Sequence, residues 1–75
     1  MGSEYTRVVD ALARNLSQLR AKKGLSQEAL ALDAGVDRTF VSKIERKLAN
    51  PSLATVSALA EVLGTTVIAL LTKAR

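Results

Sequence analysis

Apolar residues recur at three- and four-residue intervals through most of the chain, and short polar breaks carrying helix-stopping residues separate the runs. In the first run Val9, Leu12, Leu16 and Leu19 form one stripe, with Arg7, Arg14, Lys22 and Lys23 off it. Gly24 closes this run, and the two lysines stand in the last turn, where cations suit the helix dipole. The pattern predicts a first helix over about 5–22. Ser26 is a good N-cap for a short second helix, Gln27 to Ala34, with Leu30, Ala31 and Ala34 inward and Gly35 as its stop. Asp37 caps a third helix from Arg38 to about Arg46, with Val41 and Ile44 inward. A polar loop, Lys47 to Pro51, follows. Ser52 then caps a fourth helix, Leu53 to Leu63, whose inner face is Leu53, Val56, Leu59, Ala60 and Leu63. Gly64 ends it, and Thr66 caps a last helix from Val67 to about Lys73.

The 75 residues fit one domain, spanning 1–75. A core of this size is marginal, so the chain must pack efficiently or gain burial from a partner. With one Phe, one Tyr and no Trp, the core must be built from Leu, Val, Ile and Ala, and the fold class is all-α. There is no Cys and no His, which removes disulfides, thiolate metal sites and the commonest general base. No cofactor or metal is expected. No nucleophile–base pair or phosphate loop supports an enzyme, and no second domain offers a small-molecule pocket. The net charge of +4 suits a phosphate-bearing partner, although charge alone equally serves solubility. No apolar stretch approaches signal-peptide or transmembrane character, so a soluble cytoplasmic protein with no membrane partner is expected.

The informative feature is a spacing. Two short helices are joined by Gly35-Val36-Asp37, and the tight turn needs a residue that accepts positive φ. Ala31 and Ala34 allow the helices to cross closely, and Val36, Val41 and Ile44 are placed to plug one onto the other. This arrangement leaves one face of the third helix free for a DNA major groove. Gln27-Glu28-Ala29-Leu30-Ala31, Gly35-Val36 and Val41-Ser42-Lys43-Ile44-Glu45-Arg46 resemble the Cro/cI-type (XRE) helix-turn-helix family. Leu19-Arg20, Gly24-Leu25-Ser26 and Asn50-Pro51-Ser52-Leu53 extend the resemblance over roughly residues 12–71. Asp37-Arg38-Thr39-Phe40-Val41-Ser42 is similar to controller proteins of restriction–modification systems. The resemblance implies a five-helix Cro/cI-repressor-like domain whose segment 27–46 binds double-stranded DNA.

Within that frame Arg38 and Thr39 stand at the end of the third helix that reaches base edges. Arg suits guanine O6 and N7, and Thr suits a base, a phosphate or a thymine methyl. Ser42 and Lys43 lie one turn on; Lys43 reads a guanine or touches a phosphate, and Ser42 permits close approach. Ser26 and Gln27, at the start of the second helix, are assigned to the DNA backbone; the family's matching Gln bonds a phosphate. Arg46, Lys47 and Asn50 belong to the loop beside the backbone, where a solvated charge run is the plainer alternative. Phe40 either wedges against the backbone or covers the core edge. The family usually has Gly where Lys47 stands. A left-handed Lys costs roughly 1 kcal/mol, so a different end to the third helix is expected. Arg20 and Glu45 match positions that pair in the family. Leu32 lies off the inner stripe as an isolated exposed leucine.

Val67-Ile68-Ala69-Leu70-Leu71 is apolar on every side, which calls for cover beyond its own domain. A homodimer through Leu63, Val67, Ile68 and Leu71 answers this and would present two recognition helices to a palindromic site. The leading function is therefore a dimeric transcription regulator, a restriction–modification controller or a phage-type repressor. The alternative is an antitoxin whose apolar last helix grips a toxin while its helix-turn-helix autoregulates the operon. No acidic or aromatic patch identifies an RNA polymerase contact.

Overall fold

The computed structural model describes residues 3–73; Met1, Gly2, Ala74 and Arg75, which the single-domain reading of 1–75 includes, lie outside the described residues. Its helices are α1 (Glu4–Lys22), α2 (Gln27–Ala34), α3 (Arg38–Glu45), α4 (Leu53–Leu63) and α5 (Val67–Leu71), and no strand occurs among the described residues. Each helix starts on a side-chain oxygen that accepts one of its unpaired first-turn N–H groups. Ser26 accepts from Ala29 at 2.9 Å, Asp37 from Thr39 at 2.8 Å, Ser52 from Thr55 at 3.1 Å and Thr66 from Ala69 at 3.0 Å. Ser3 does the same for α1, accepting from Thr6 at 3.1 Å, which starts that helix at Glu4.

The five helices close around one core. Leu12 and Leu16 of α1 meet Leu30 and Ala31 of α2, Val41 and Ile44 of α3, Val56, Leu59, Ala60 and Leu63 of α4, and Leu70 of α5. Helix α2 packs on α3 and α4, α1 on α3 and α5, and α4 on α5. The small side chains of Ala31 and Ala60 are buried at this crowded centre, where larger ones would force the helices apart. Leu53 departs from the expected inner face: it is 70% exposed, because it sits in the first turn of α4 and the packed face begins at Val56. Among the described residues, no helix is long and apolar enough to cross a membrane.

Two helix ends differ from the sequence expectation. Helix α3 ends at Glu45, and Lys47 adopts the left-handed conformation, with φ 64°. The Leu48 N–H reaches the Lys43 carbonyl at 2.8 Å and the Lys47 N–H reaches Ile44 at 3.0 Å. That is the Schellman closure a glycine would make, so Lys47 fills the glycine position without changing how the helix ends. Two carbonyl hydrogen bonds and an ion pair from Lys47 Nζ to Asp10 Oδ1 at 3.0 Å oppose the strain. Helix α5 stops at Leu71, two residues short of Lys73, with Thr72 extended. Asn15 of α1 closes this end. Its Nδ2 donates to the carbonyls of Ala69, Leu70 and Thr72 at 3.2, 2.9 and 2.8 Å, satisfying groups that a longer helix would have used.

Candidate nucleic-acid interface

Helix α3 is divided lengthwise by its own pattern. Val41 and Ile44 are buried and fix it to the core, while Arg38, Thr39 and Lys43 are exposed and Ser42 is half-buried. The turn that aims it depends on Gly35, which holds φ 71° and lets the Val36 N–H close on the Ala31 carbonyl at 2.9 Å. Val36 then packs against the core, setting the angle between α2 and α3.

Gln27, Glu28, Arg38, Thr39, Ser42 and Arg46 line one open concavity between the start of α2 and the face of α3. This brings four of the expected contact residues beside Gln27 from the other helix. Lys43 stays on the exposed face outside that lining, and Ser26 borders it as the α2 cap. Asn50 is exposed in the loop after α3. Lys47 is turned toward α1 by its ion pair with Asp10. Phe40 is half-buried against the core, the second of its two expected roles.

The polar groups of the site are already organised. The Thr39 hydroxyl donates to Asp37 Oδ1 at 2.7 Å, and the Thr39 N–H donates to the same atom. Its hydrogen is thus occupied, and the side chain offers its methyl and lone pairs outward rather than a donor. The same two bonds from Thr39, helped by Lys43 and Arg38, hold the Asp37 carboxyl below the usual carboxylate range. Arg38 Nη1 donates to Glu28 Oε2 at 2.9 Å.

Behind the surface lies a clamp. Arg20 grips Glu45 with two parallel bonds, Nε to Oε2 at 2.8 Å and Nη2 to Oε1 at 3.1 Å, and its Nη1 donates to the Leu25 carbonyl at 2.9 Å. Gln27 Nε2 donates to Glu45 Oε1 at 2.9 Å. One carboxylate therefore joins α1, α2 and α3, and it holds the Arg20 guanidinium above its ordinary pKa chiefly through the hydrogen bond. The pair expected from the family pattern is present, and it neutralises the acid at the end of α3.

The far end of the molecule corrects one residue of the expected interface. Leu63 is only 3% exposed and belongs to the core, so its side chain is unavailable to a partner. Val67 and Leu71 are half-buried against that core, whereas Ile68 is 79% exposed. The sequence reading missed Asn15, Asp10 and Glu28. Asn15 was legible as the one polar residue between Leu12 and Leu16 on a buried face; the partners of the other two depend on how the helices meet.

A short helix braced across a glycine turn, with its apolar edge buried and its polar edge free, defines a DNA-binding helix-turn-helix. The pattern of the helix-turn-helix family (HTH_3) matches residues 16–70, and the chain belongs to that family of DNA-binding transcription regulators. The control protein C.SmaI of Serratia marcescens is 41% identical over 66 residues, covering 88% of this chain and 79% of that protein. A hypothetical transcription factor of Neisseria meningitidis is 47% identical over 53 residues, covering 71% of this chain and 50% of the relative, so the match spans half its length. Among solved structures, the hypothetical transcription factor NHTF from Neisseria has a TM-score of 0.86 at 38% identity, covering 97% of this chain and 83% of that one. The restriction-modification controller protein C.AhdI from Aeromonas hydrophila has a TM-score of 0.78 at 39% identity, covering 83% and 94%.

Proposed function

We propose that this chain regulates transcription as a homodimer that binds a palindromic operator, and that the operon it controls encodes a restriction–modification system. Helix α3 enters the major groove with Arg38, Thr39, Ser42 and Lys43 at base edges. Ser26, Gln27, Arg46, Lys47 and Asn50 follow the phosphates, with Phe40 supporting α3 from the core side. The observation that carries this reading is the concavity shared by Gln27, Arg38, Thr39, Ser42 and Arg46, which places donors from two helices on one face. The likeness to C.SmaI and C.AhdI supports the controller role. The domain reading of 1–75 and a cytoplasmic location go with it.

Self-pairing rests on α5. Ile68 is 79% exposed beside the exposed Ala69, on a helix whose Val67, Leu70 and Leu71 turn to its own core, so the outer face of α5 is apolar. A two-fold pair through Ile68, with the flanks of Val67 and Leu71, would set the two recognition helices about 34 Å apart. The same exposure also favours a second reading, in which Ile68 meets a toxin.

Selection of bound sequences from a random duplex pool tests the scheme: an inverted repeat with fixed spacing is expected, and a single unrepeated half-site would refute the dimer. In that operator Arg38→Ala is expected to cost about 1–3 kcal/mol in specific binding with little change on random duplex. Equal loss on both would make Arg38 a phosphate contact. Ile68→Glu is expected to convert a dimer to a monomer by sedimentation, because a carboxylate cannot be buried there unpaired. A parent protein that is monomeric alone and pairs only with a different chain would establish the toxin-binding reading instead.

A further inference from the structure

We infer that Glu28 is a positioning residue that sets how Arg38 reads a base, and so determines sequence specificity. The inference rests on the proposal that Arg38 faces base edges. Glu28 stands in the first turn of α2 and Arg38 opens α3; the Gly35 turn brings them together ten residues apart. Arg38 Nη1 donates to Glu28 Oε2 at 2.9 Å, and both side chains are mostly exposed, at 73% and 69%. Both also line the concavity that holds Gln27, Thr39, Ser42 and Arg46.

An exposed pair of this kind contributes little to folding. A carboxylate on the face turned to a polyanion also opposes binding, because it removes one unit of the positive charge that displaces counterions. Its effect is on geometry. The contact with Glu28 occupies Nη1 alone, and no other bond engages the guanidinium among the described residues. Nε and Nη2 form the remaining edge, which matches the two acceptors O6 and N7 of guanine. Arg38 carries several rotatable bonds, and holding one corner reduces the freedom it loses on docking. The same hold keeps the guanidinium from swinging to the nearest phosphate, where it would bind every sequence alike. Glu28 therefore lowers affinity for DNA in general and raises the difference between the right base and a wrong one. A first-turn Glu also suits the α2 dipole, but that role would leave base preference untouched.

The experiment compares binding to the selected operator with binding to the same duplex carrying a substitution at the guanine that Arg38 reads. In Glu28→Gln, binding to random duplex is expected to rise, while the preference for that guanine falls about five- to tenfold. Glu28→Asp keeps the charge and is expected to restore part of the preference. Adding Glu28→Gln to Arg38→Ala is expected to leave the preference where Arg38→Ala alone puts it. Circular dichroism of each variant verifies that α2 is intact, which Gln favours as a comparable helix former. An unchanged preference in Glu28→Gln, with or without a uniform gain in affinity, overturns the inference and leaves Glu28 as a charge at a helix start. If Arg38→Ala itself leaves the preference unchanged, the assignment of Arg38 to a base edge fails first, and this inference fails with it.

Discussion

Asn15→Ala is expected to lower the unfolding free energy by about 2–4 kcal/mol, a large share of what a domain this small possesses. Asn15 is 7% exposed and is the one buried polar residue among the described positions. Its carboxamide ties α1 to the end of α5 through the carbonyls of Ala69, Leu70 and Thr72. A two-hydrogen donor serves these three acceptors, so the longest bond, to Ala69, is a shared one. Removing the amide takes the side-chain donor from the Leu70 and Thr72 carbonyls, while Ala69 keeps the Thr72 N–H at 3.3 Å, and it leaves a void beside them. A five-residue helix cannot hold itself together by its own hydrogen bonds, so α5 would fray back toward Val67. The proposed dimer surface would be lost with it, and operator binding should fall more steeply than monomer stability alone requires. Urea unfolding at fixed protein concentration measures the first effect, and sedimentation the second.

Asn15→Asp distinguishes a hydrogen-bond role from simple space filling. The introduced carboxylate would face three carbonyls, so its folded pKa rises above the unfolded one. The folded state then binds more protons than the unfolded state around and above the ordinary carboxylate range. Stability of this variant is therefore expected to be retained in acid, where the carboxyl can donate, and to fall as pH rises. A variant with the same pH profile as the parent protein would show that the Asn15 amide is not what holds α5.

The main lines of the fold were legible because local rules and packing agree. Ser26, Asp37, Ser52 and Thr66 each stand one residue before an apolar run and each caps the helix that follows. The inward residues of α2 and α3 could be read from period alone, since a helix buried on one face repeats its core residues every three or four positions. Leu53 and Leu63 mark the limit of that reasoning. Both fit the α4 stripe, yet one is solvated and the other is central, because period gives a face and not a depth. Lys47 shows a second limit. Its side chain argued against a left-handed residue, but the Schellman bonds and the packing on either side of the turn outweigh a strain of about 1 kcal/mol. For the site, the residue types of the recognition helix were readable from their positions. The pairings among them were not, since Glu28 meets Arg38, and Glu45 meets Gln27, only after the turn at Gly35 has folded.

Those pairings make Glu45 the second residue whose loss should be felt most. Glu45→Ala is expected to cost about 2–3 kcal/mol, below the full penalty for a buried ion pair because both partners keep some contact with water. The side chains of Arg20 and Glu45 are 18% and 9% exposed. Without the carboxylate, Arg20 retains only the Leu25 carbonyl as an acceptor among the described residues, and its mostly buried charge loses its counter-ion. Gln27 loses the acceptor that fixes its carboxamide at the start of α2, so the effect should reach DNA binding as well. The two consequences separate by experiment. Replacing both members, Arg20→Met with Glu45→Met, removes the stranded charge and is expected to recover much of the stability in urea unfolding. It leaves Gln27 unbraced, so operator affinity should stay reduced even where stability returns. If Glu45→Ala unfolds within about 0.5 kcal/mol of the parent protein, the clamp is a surface pair of little weight, and the bracing of α3 rests on Val41 and Ile44 alone. If affinity returns together with stability in the double variant, the bond from Gln27 to Glu45 has no part in binding. The expected pattern, stability regained and affinity not, would make this carboxylate both the joint of three helices and the support for a phosphate contact at the edge of the groove.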